Sequence, residues 1–417
     1  MRRTVLGLAL AGTAAAIIAA ACGGGDDDGE ASPPPTQTPS TTASPTPGPT
    51  PSIETITGEG TFDWQVLEIH RGVKPDLALD AQGRAHIAFG LEARGGFVKH
   101  ALIGDRTVTS TVTEGYFYFP LAIAVNEEGV PWIAFHSHDF EDQAVALAQD
   151  LETGDWLVLR TESPGHDGWD NSLALDANGR PHTVSVDPSG FRSNVGLEYG
   201  FFDANAWTVE VVGTGPLMYE FGTSIGLDSA GNPHATYYND VSQDLMYASR
   251  SDGAWTVSAI DSEGDVGRFA DMLIDGADRP HVAYLELESS TSGTVKYAVL
   301  EGGTWKIEAV DALDNLFVGP PGNMSGARNV VSLALDSQGN PVIAYSDQES
   351  IKLAWQRNGQ WQVETVQRAD GDPLGQTVSL ALDASDTPHL TYYVATDLRE
   401  GGLDGVVFYL RGVSRTG

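Results

Sequence analysis

Closely spaced histidines and acids are the best candidates for metal chemistry in this sequence of 417 residues. His136, His138 and Asp139 lie in the segment FHSHDFED, and His166 lies in RTESPGHDGWDN. Alternate residues of an extended strand point to one side, so His136 and His138 would present their imidazoles on the same face. Imidazole and carboxylate groups bind zinc, and carboxylates also bind calcium. The spacing fits a zinc or calcium site or a solvated polar loop cluster, and no other cofactor is expected.

A second group of polar residues could hold an acidic ligand or supply a pair of carboxylic acids. Arginine pairs bidentately with carboxylates, and two acids flanking a glycosidic bond can catalyse its hydrolysis. The candidate catalytic residues are Arg268, Arg328, Glu220, Tyr219 and Asp271. The candidate ligand-binding residues are Trp169, Asp170, Tyr238, Glu286, Arg192 and Arg399. An acidic, loop-rich protein would contain such residues without catalysis, and the sequence has no phosphate loop, nucleophile elbow or HExxH motif.

These candidates lie outside a sequence motif that recurs about every 50 residues. Its seven copies are LALDAQGRAHIAF (77–89), IAVNEEGVPWIAF (123–135), LALDANGRPHTVS (173–185), IGLDSAGNPHATY (225–237), MLIDGADRPHVAY (272–284), LALDSQGNPVIAY (333–345) and LALDASDTPHLTY (380–392). Such a period, built only of strand-like segments, is typical of a β-propeller with one blade per repeat.

Each repeat reads as four short strands. The apolar LALD run predicts an innermost strand, Asp-x-x-Gly a tight turn, and the following Pro the start of a second strand. A third strand follows, and a Trp opens most of the outer strands. We therefore predict an all-β fold, a seven-bladed propeller of four-stranded antiparallel blades over 61–417. An outermost strand 62–70 beside strand 406–412 would close the ring and remove its free edges.

Residues that repeat in most blades are expected to serve the blades. This applies to the turn aspartates, the outer-strand tryptophans and five histidines: His86, His182, His234, His281 and His389. Functional residues should instead break the pattern, on the face where long connections collect. The long connections are 160–171, 213–222, 261–271, 310–329 and 367–376.

The repeat resembles those of bacterial secreted propellers grouped with BNR or Asp-box repeats and the sialidase superfamily. The resemblance spans 61–417 at the level of the repeat pattern. It implies a propeller and, for a sialidase, a tyrosine nucleophile with an arginine cluster for the substrate carboxylate. The Ser-x-Asp-x-Gly-x-x-Trp wording is absent, its nearest segments being SDGAW (251–255) and NGQW (358–361), and a Phe-Arg-Ile-Pro element is absent too.

The N-terminal segment MRRTVLGLALAGTAAAIIAAAC resembles a bacterial lipoprotein signal peptide, residues 1–22, ending in the lipidated Cys22. Residues 23–60 are rich in Pro, Thr and Ser and predict a disordered linker. The resemblance implies an extracytoplasmic protein whose lipid on Cys22 anchors it to the bacterial cell membrane or envelope surface.

The charge balance narrows the range of partners. Acids number 57 against 23 bases, a net charge of −34, so nucleic-acid binding is excluded. A single cysteine excludes an internal disulfide. The sequence predicts a binding module for carbohydrate or for an envelope or extracellular protein, and we expect a monomer. A sialidase-like or other glycoside hydrolase and a structural envelope-assembly protein remain as alternatives.

Overall fold

The structure is a computed structural model, and the described residues are those that follow. They are 3–6, 53–91, 96–114, 121–139, 142–150, 155–160, 169–187, 196–203, 206–214, 222–316, 330–347, 349–368, 374–397 and 404–415. Within these ranges, no helix is long and apolar enough to cross a membrane.

The described strands form seven antiparallel sheets, the blades of a propeller. The chain begins with β1 (Arg3–Leu6), β2 (Ile53–Ile56) and β3 (Phe62–Arg71). Blade 1 contains β4 (Val73–Leu79), β5 (Ala85–Leu91), β6 (Phe97–Ile103) and β7 (Thr107–Glu114). Blade 2 contains β8 (Ala122–Val125), β9 (Pro131–Asp139), β10 (Asp142–Asp150) and β11 (Trp156–Arg160). Blade 3 contains β12 (Trp169–Leu175), β13 (Pro181–Asp187), β14 (Gly196–Phe202) and β15 (Ala206–Thr214).

The remaining blades repeat this order. Blade 4 contains β16 (Thr223–Leu227), β17 (Pro233–Asn239), β18 (Asp244–Ser251) and β19 (Ala254–Asp261). Blade 5 contains β20 (Asp265–Ile274), β21 (Pro280–Leu287), β22 (Gly293–Glu301) and β23 (Thr304–Leu313). Blade 6 contains β24 (Val331–Leu335), β25 (Pro341–Ser346), β26 (Ser350–Arg357) and β27 (Gln360–Arg368). Blade 7 contains β28 (Leu374–Leu382), β29 (Pro388–Asp397), β30 (Asp404–Ser414) and, from the N-terminal part of the chain, β3.

The ring closes as the sequence predicts. Strand β3 pairs antiparallel with β30, with Phe62 opposite Ser414 and Arg71 opposite Val406. Trp64 of β3 is 1% exposed and packs with Leu353 and Leu410 between blades 6 and 7. Strand β3 therefore contributes a buried tryptophan to the core between blades 6 and 7.

One detail of the predicted closure is wrong, because β3 is not the outermost strand of its sheet. Strand β2 pairs with the outer edge of β3, with Ile56 opposite Trp64, although it lies in the segment assigned to the linker. Its Ile56 packs against the core of blades 6 and 7, which explains why this short apolar segment extends the sheet. Strand β1 extends blade 3 in the same way by pairing with β15.

The Asp-x-x-Gly turns have the predicted geometry and define what we call the turn face. In blade 1, Asp80 Oδ1 accepts hydrogen bonds from the amides of Gln82 (2.9 Å) and Arg84 (2.8 Å). Gly83 takes the required positive φ of 72°. The opposite end of the blades, where outer strands lead to the next inner strand, is the loop face.

Blades 5 and 7 carry an aspartate where the other turns have glycine. Asp278 and Asp386 both have φ of 58°, a conformation that aspartate tolerates better than most residues. Each carboxylate accepts two hydrogen bonds from a serine of the preceding blade. The amide and hydroxyl of Ser229 lie 2.6 and 2.7 Å from Asp278, and those of Ser337 both lie 2.7 Å from Asp386. These aspartates thus fasten blade 4 to 5 and blade 6 to 7.

Candidate functional site

The repeat histidines join a turn to the third strand of their own blade. His281 Nδ1 lies 2.5 Å from the Tyr297 hydroxyl, and its Nε2 lies 3.3 Å from Asp275 of the turn. His86 makes the corresponding contacts with His100 (3.1 Å) and Asp80 (3.4 Å). The contacts confirm that these histidines serve the blades.

The tyrosines of this network also connect neighbouring blades. The rings of Tyr199, Tyr247 and Tyr297 meet outer-strand tryptophans of the following blade edge to face, at centroid distances of 5.4, 5.2 and 5.5 Å. Such aromatic pairs add to the stability given by burial alone. The outer-strand tryptophans therefore have the structural role that the repeat predicts.

A ring of hydrogen bonds joins the inner strands around the central channel. The residue before each LALD run is Asp76, Ala122, Ser172, Ser224, Asp271, Ser332 or Ser379. Except at Ala122, the side chain of this residue accepts a hydrogen bond from a backbone amide of the following blade. The donor is the first residue of that blade's LALD run. These amides are those of Ile123 (2.9 Å), Ile225 (3.0 Å), Met272 (2.9 Å), Leu333 (2.8 Å), Leu380 (3.1 Å) and Leu77 (3.1 Å).

Asp271, a candidate catalytic residue, belongs to this ring. It accepts hydrogen bonds from Ser224 Oγ (3.2 Å) in blade 4 and from Ser332 Oγ (3.3 Å) and the Leu333 amide in blade 6. Burial and, to a smaller extent, the charge of Asp76 raise the pKa of Asp271 to about 6. Burial also raises the pKa of Asp76. Asp271 thus connects three blades and has a carboxyl that titrates near neutrality.

The inner strands of blades 1, 3, 5 and 7 are longer than those of the even blades and are bulged. Register shifts occur in β4, β12, β20 and β28, all near the loop face. Bulges of this kind redirect side chains and are frequent beside functional sites. We call the loop-face ends of the inner strands the channel mouth.

Three buried residues at the channel mouth have a strained backbone. Lys74, Asp170 and Phe269 have φ of 52°, 50° and 57°, and each lies two residues before the ring position of its blade. Lys74 is also followed by Pro75, which disfavours this conformation further. Left-handed non-glycine residues cost about 1–3 kcal/mol each and cluster at functional sites. Three of the eight left-handed non-glycine residues in the described part of the chain thus lie at equivalent positions at the channel mouth, and the other five lie in turns.

Residues of blades 3, 4 and 5 contact one another at the channel mouth. The Gly222 amide lies 3.4 Å from Asp170 Oδ2, and Thr223 Oγ1 donates to the Asp170 carbonyl. A Cβ on Gly222 would lie 3.2 Å from Phe269 Cα, and Gly222 has a φ of 87°. Glycine is required here because blade 4 passes so closely between its neighbours.

Arg268 of blade 5 and Tyr238 of blade 4 contact each other beside the channel mouth, as their positions outside the repeated motif predicted. Arg268 Nε and Nη2 each lie 2.9 Å from a carboxylate oxygen of Asp265, and Nη2 lies 3.1 Å from the Tyr238 hydroxyl. Tyr238 donates to Asp265 Oδ1 at 2.8 Å, and the guanidinium lies 4.7 Å from its ring centroid. Burial raises the pKa of Tyr238 above its usual value. Arg268 is therefore held by a carboxylate of this chain, and Tyr238 is a hydrogen-bond donor.

Glu286 belongs to a link between blades. Lys296 bridges Glu286 (2.9 Å) and Asp261 (3.1 Å), and the Tyr284 hydroxyl donates to Asp261 at 2.8 Å. The next seam repeats the arrangement, with Tyr345 and Lys352 on Asp311 at 2.9 and 3.0 Å. By the logic of the repeat, this motif serves the ring.

The other candidates lie partly or wholly outside the described residues. These are Tyr219, Glu220, Arg192, Arg328, Arg399, His166 and Cys22, and the side chains of Trp169, His138 and Asp139. His136 is buried on β9. In the part of the chain that the structure describes, no three His, Cys, Asp or Glu residues are grouped to hold a metal.

Sequence reasoning missed Lys74. Its only signal is the Lys-Pro pair directly before Asp76, where the other repeats carry neither residue. Because Lys74 is not a glycine, its residue type does not indicate the left-handed backbone that it adopts.

No protein-family model matches this sequence, and no curated protein matches it. Among solved structures, a protein of unknown function from Dyadobacter fermentans is 10% identical, with 84% of this chain and 99% of that chain covered and a TM-score of 0.48. AofleA from Arthrobotrys oligospora is 14% identical, with coverages of 76% and 90% and a TM-score of 0.48. The α-L-arabinofuranosidase of Fusarium graminearum is 11% identical, with coverages of 86% and 98% and a TM-score of 0.45. This similarity is one of overall fold and carries no argument about activity.

Proposed function

We propose that this protein is a binding module that holds a ligand at the channel mouth. The observation that carries the proposal is the backbone strain at Lys74, Asp170 and Phe269, in equivalent positions of three blades. Strain of this kind persists only where the surrounding structure enforces it, and it accompanies pre-organised ligand contacts. The repeated polar residues, by contrast, are engaged in holding blades together.

A neutral carbohydrate is the ligand class that the mouth favours over an acidic one. Asp170, Lys74, Arg268 and Tyr238 are buried around the mouth, and their mixture of donors and acceptors suits a hydroxyl-rich ligand that shares hydrogen bonds with groups already bonded within the chain. Arg268 already pairs with Asp265, so its charge is compensated within this chain. The net charge of −34 also repels acidic ligands. A protein partner is the alternative ligand, and its capture without glycan binding would replace the carbohydrate proposal.

We place this module outside the cytoplasm, tethered by a lipid on Cys22 and held off the membrane or envelope surface by the linker. The support is the resemblance of residues 1–22 to a lipoprotein signal peptide and the composition of 23–60. Metabolic labelling with a fatty-acid analogue tests the tether. Labelling should require Cys22 and disappear in Cys22→Ser.

A glycoside hydrolase is the second candidate, and one observation favours it. A carboxyl whose pKa is raised to about 6, as in Asp271, suits a general acid near neutral pH. The same carboxyl already accepts hydrogen bonds from blades 4 and 6, which suits a structural role better.

The experiment that tests the function combines a glycan array with a panel of fluorogenic glycosides. We expect glycan binding by the purified chain without turnover of any substrate in the panel. Turnover that is lost in Asp271→Asn would establish the hydrolase instead. If neither the glycan array nor an affinity pull-down with the purified chain detects a ligand, the binding module is refuted and a structural role in the envelope is favoured.

A further inference from the structure

We infer that the propeller has one weak seam, between blades 2 and 3, and that the ring opens there. The seam between blades 7 and 1, which we call the closing seam, lies next to the pairing of β3 with β30 inside blade 7 and would then be one of the stable ones. Three separate features of blades 2 and 3 point to this conclusion.

The first feature is the gap in the ring of hydrogen bonds. Ala122 occupies the ring position of blade 2 and has no side-chain acceptor for the Leu173 amide of blade 3. At the closing seam, the Leu77 amide lies 3.1 Å from Ser379 Oγ, and that hydroxyl lies 2.8 Å from Asp76. The inner strands of blades 2 and 3 therefore lack the link that the closing seam has.

The second feature is a pair of buried indoles that replace the polar network. Trp132 stands in the histidine position of blade 2 and packs with Trp207 and Phe202 of blade 3. Among the described residues, the indole nitrogens of Trp132 and Trp207 are buried without a hydrogen-bond partner; Trp355 between blades 6 and 7 is a single case, so only the blade 2–3 seam has a pair. An unsatisfied buried donor is destabilising, because it loses its hydrogen bond to water on folding.

The third feature is a cleft of about 490 Å³ between the turns of the two blades. It is lined by Asn126, Glu127 and Glu128 of blade 2 and by Asp176 and Asn178 of blade 3. The Asp176 carboxylate pairs with Arg180 of its own turn at 2.7 Å, so it is engaged within blade 3. At the seams between blades 4 and 5 and between blades 6 and 7, a serine and an aspartate bond directly across the same level.

Opening at this seam would expose the inner strands β8 and β12 together, as one local unfolding event. Strands β16 and β24, the short inner strands of blades 4 and 6, are matched controls because both have a ring serine. Opening here would also separate blades 1 and 3 at the channel mouth while the closing seam stays intact.

Hydrogen–deuterium exchange of the full chain, read by mass spectrometry, tests this inference. We expect peptides that cover β8 and β12 to exchange together, and faster than those that cover β16, β24, β28 and β4. Ala122→Ser supplies the missing acceptor and should slow exchange at β8 and β12 about fivefold, which corresponds to one hydrogen bond.

The opposite substitution is the matched control. Ser224→Ala removes a ring acceptor between blades 4 and 5 and should speed exchange at β16 and β20. Equal protection of all inner strands, or fastest exchange at β4 and β28, would overturn the inference. The wild-type pattern decides this alone, even if either variant fails to fold.

Discussion

Buried neutral histidines recur in most blades of this propeller. Burial lowers the pKa of His182 to about 4 and that of His100 to about 3, and it lowers the pKa values of His234, His281 and His389 too. In the unfolded chain these side chains titrate near 6.5, so the unfolded state binds more protons between the two values. The histidines therefore make the fold sensitive to acid.

We expect the melting temperature to fall as the pH decreases from 6.5 towards 4. Asp271 works in the opposite direction, because its raised pKa contributes stability that is lost as the pH rises through about 6. The pKa values of Asp76 and Asp240 are raised by burial too, so they work in the same direction as Asp271. Since five histidines oppose these three aspartates, the net change between pH 7 and pH 5 should be destabilising. Thermal unfolding followed across this range checks the expectation, and a constant or rising melting temperature on acidification would contradict it.

At the scale of elements, the turns show how the repeat departs from its own pattern. Asp278 and Asp386 replace the turn glycine. Ser229 and Ser337 of the preceding blades donate hydrogen bonds to their carboxylates. The strain of a positive φ is accepted in exchange for two hydrogen bonds between blades. The serine and the aspartate of each pair therefore act together.

A double-mutant cycle on Ser229 and Asp278 tests this coupling. Ser229→Ala alone should cost about 1 kcal/mol of unfolding free energy, the net value of an ordinary hydrogen bond. In an Asp278→Gly background the same change should cost little, because the acceptor has gone. Urea denaturation measures all four proteins. Equal costs of Ser229→Ala in both backgrounds would show that the two residues do not interact.

At the scale of the whole molecule, the repeat was sufficient to predict the blades and their closure. These features are predictable because the apolar period, the turn residues and the position of Trp64 depend on local sequence. The bulges at Lys74 and Asp170 were not predictable, because they arise from how neighbouring blades meet. The place of β2 was missed for a related reason: the composition of the linker concealed the short apolar segment around Ile56.

Truncation of the N-terminal segment tests the closure of the ring. Removing 61–70 should cost several kcal/mol, because a strand ladder and the buried Trp64 are lost. Removing 23–52 should leave the melting temperature unchanged, as the Pro-, Thr- and Ser-rich composition of this segment predicts. Removal of 53–57 should have an intermediate effect through the loss of β2. A chain without 61–70 that melts like the full protein would refute the closure.

The most direct test of the central claim, that the channel mouth binds the ligand, compares matched substitutions on the glycan found by the array. Lys74→Met and Arg268→Lys alter the mouth. Lys99→Met alters a half-buried lysine on β6, and Arg250→Lys alters an arginine of β18 that is bonded bidentately to Glu210 of the outer strand β15. We predict that the dissociation constant rises about tenfold or more in folded mouth variants, as loss of a charged hydrogen bond implies, and stays unchanged in both controls. Mouth variants that are folded and bind as tightly as the wild type would contradict the account.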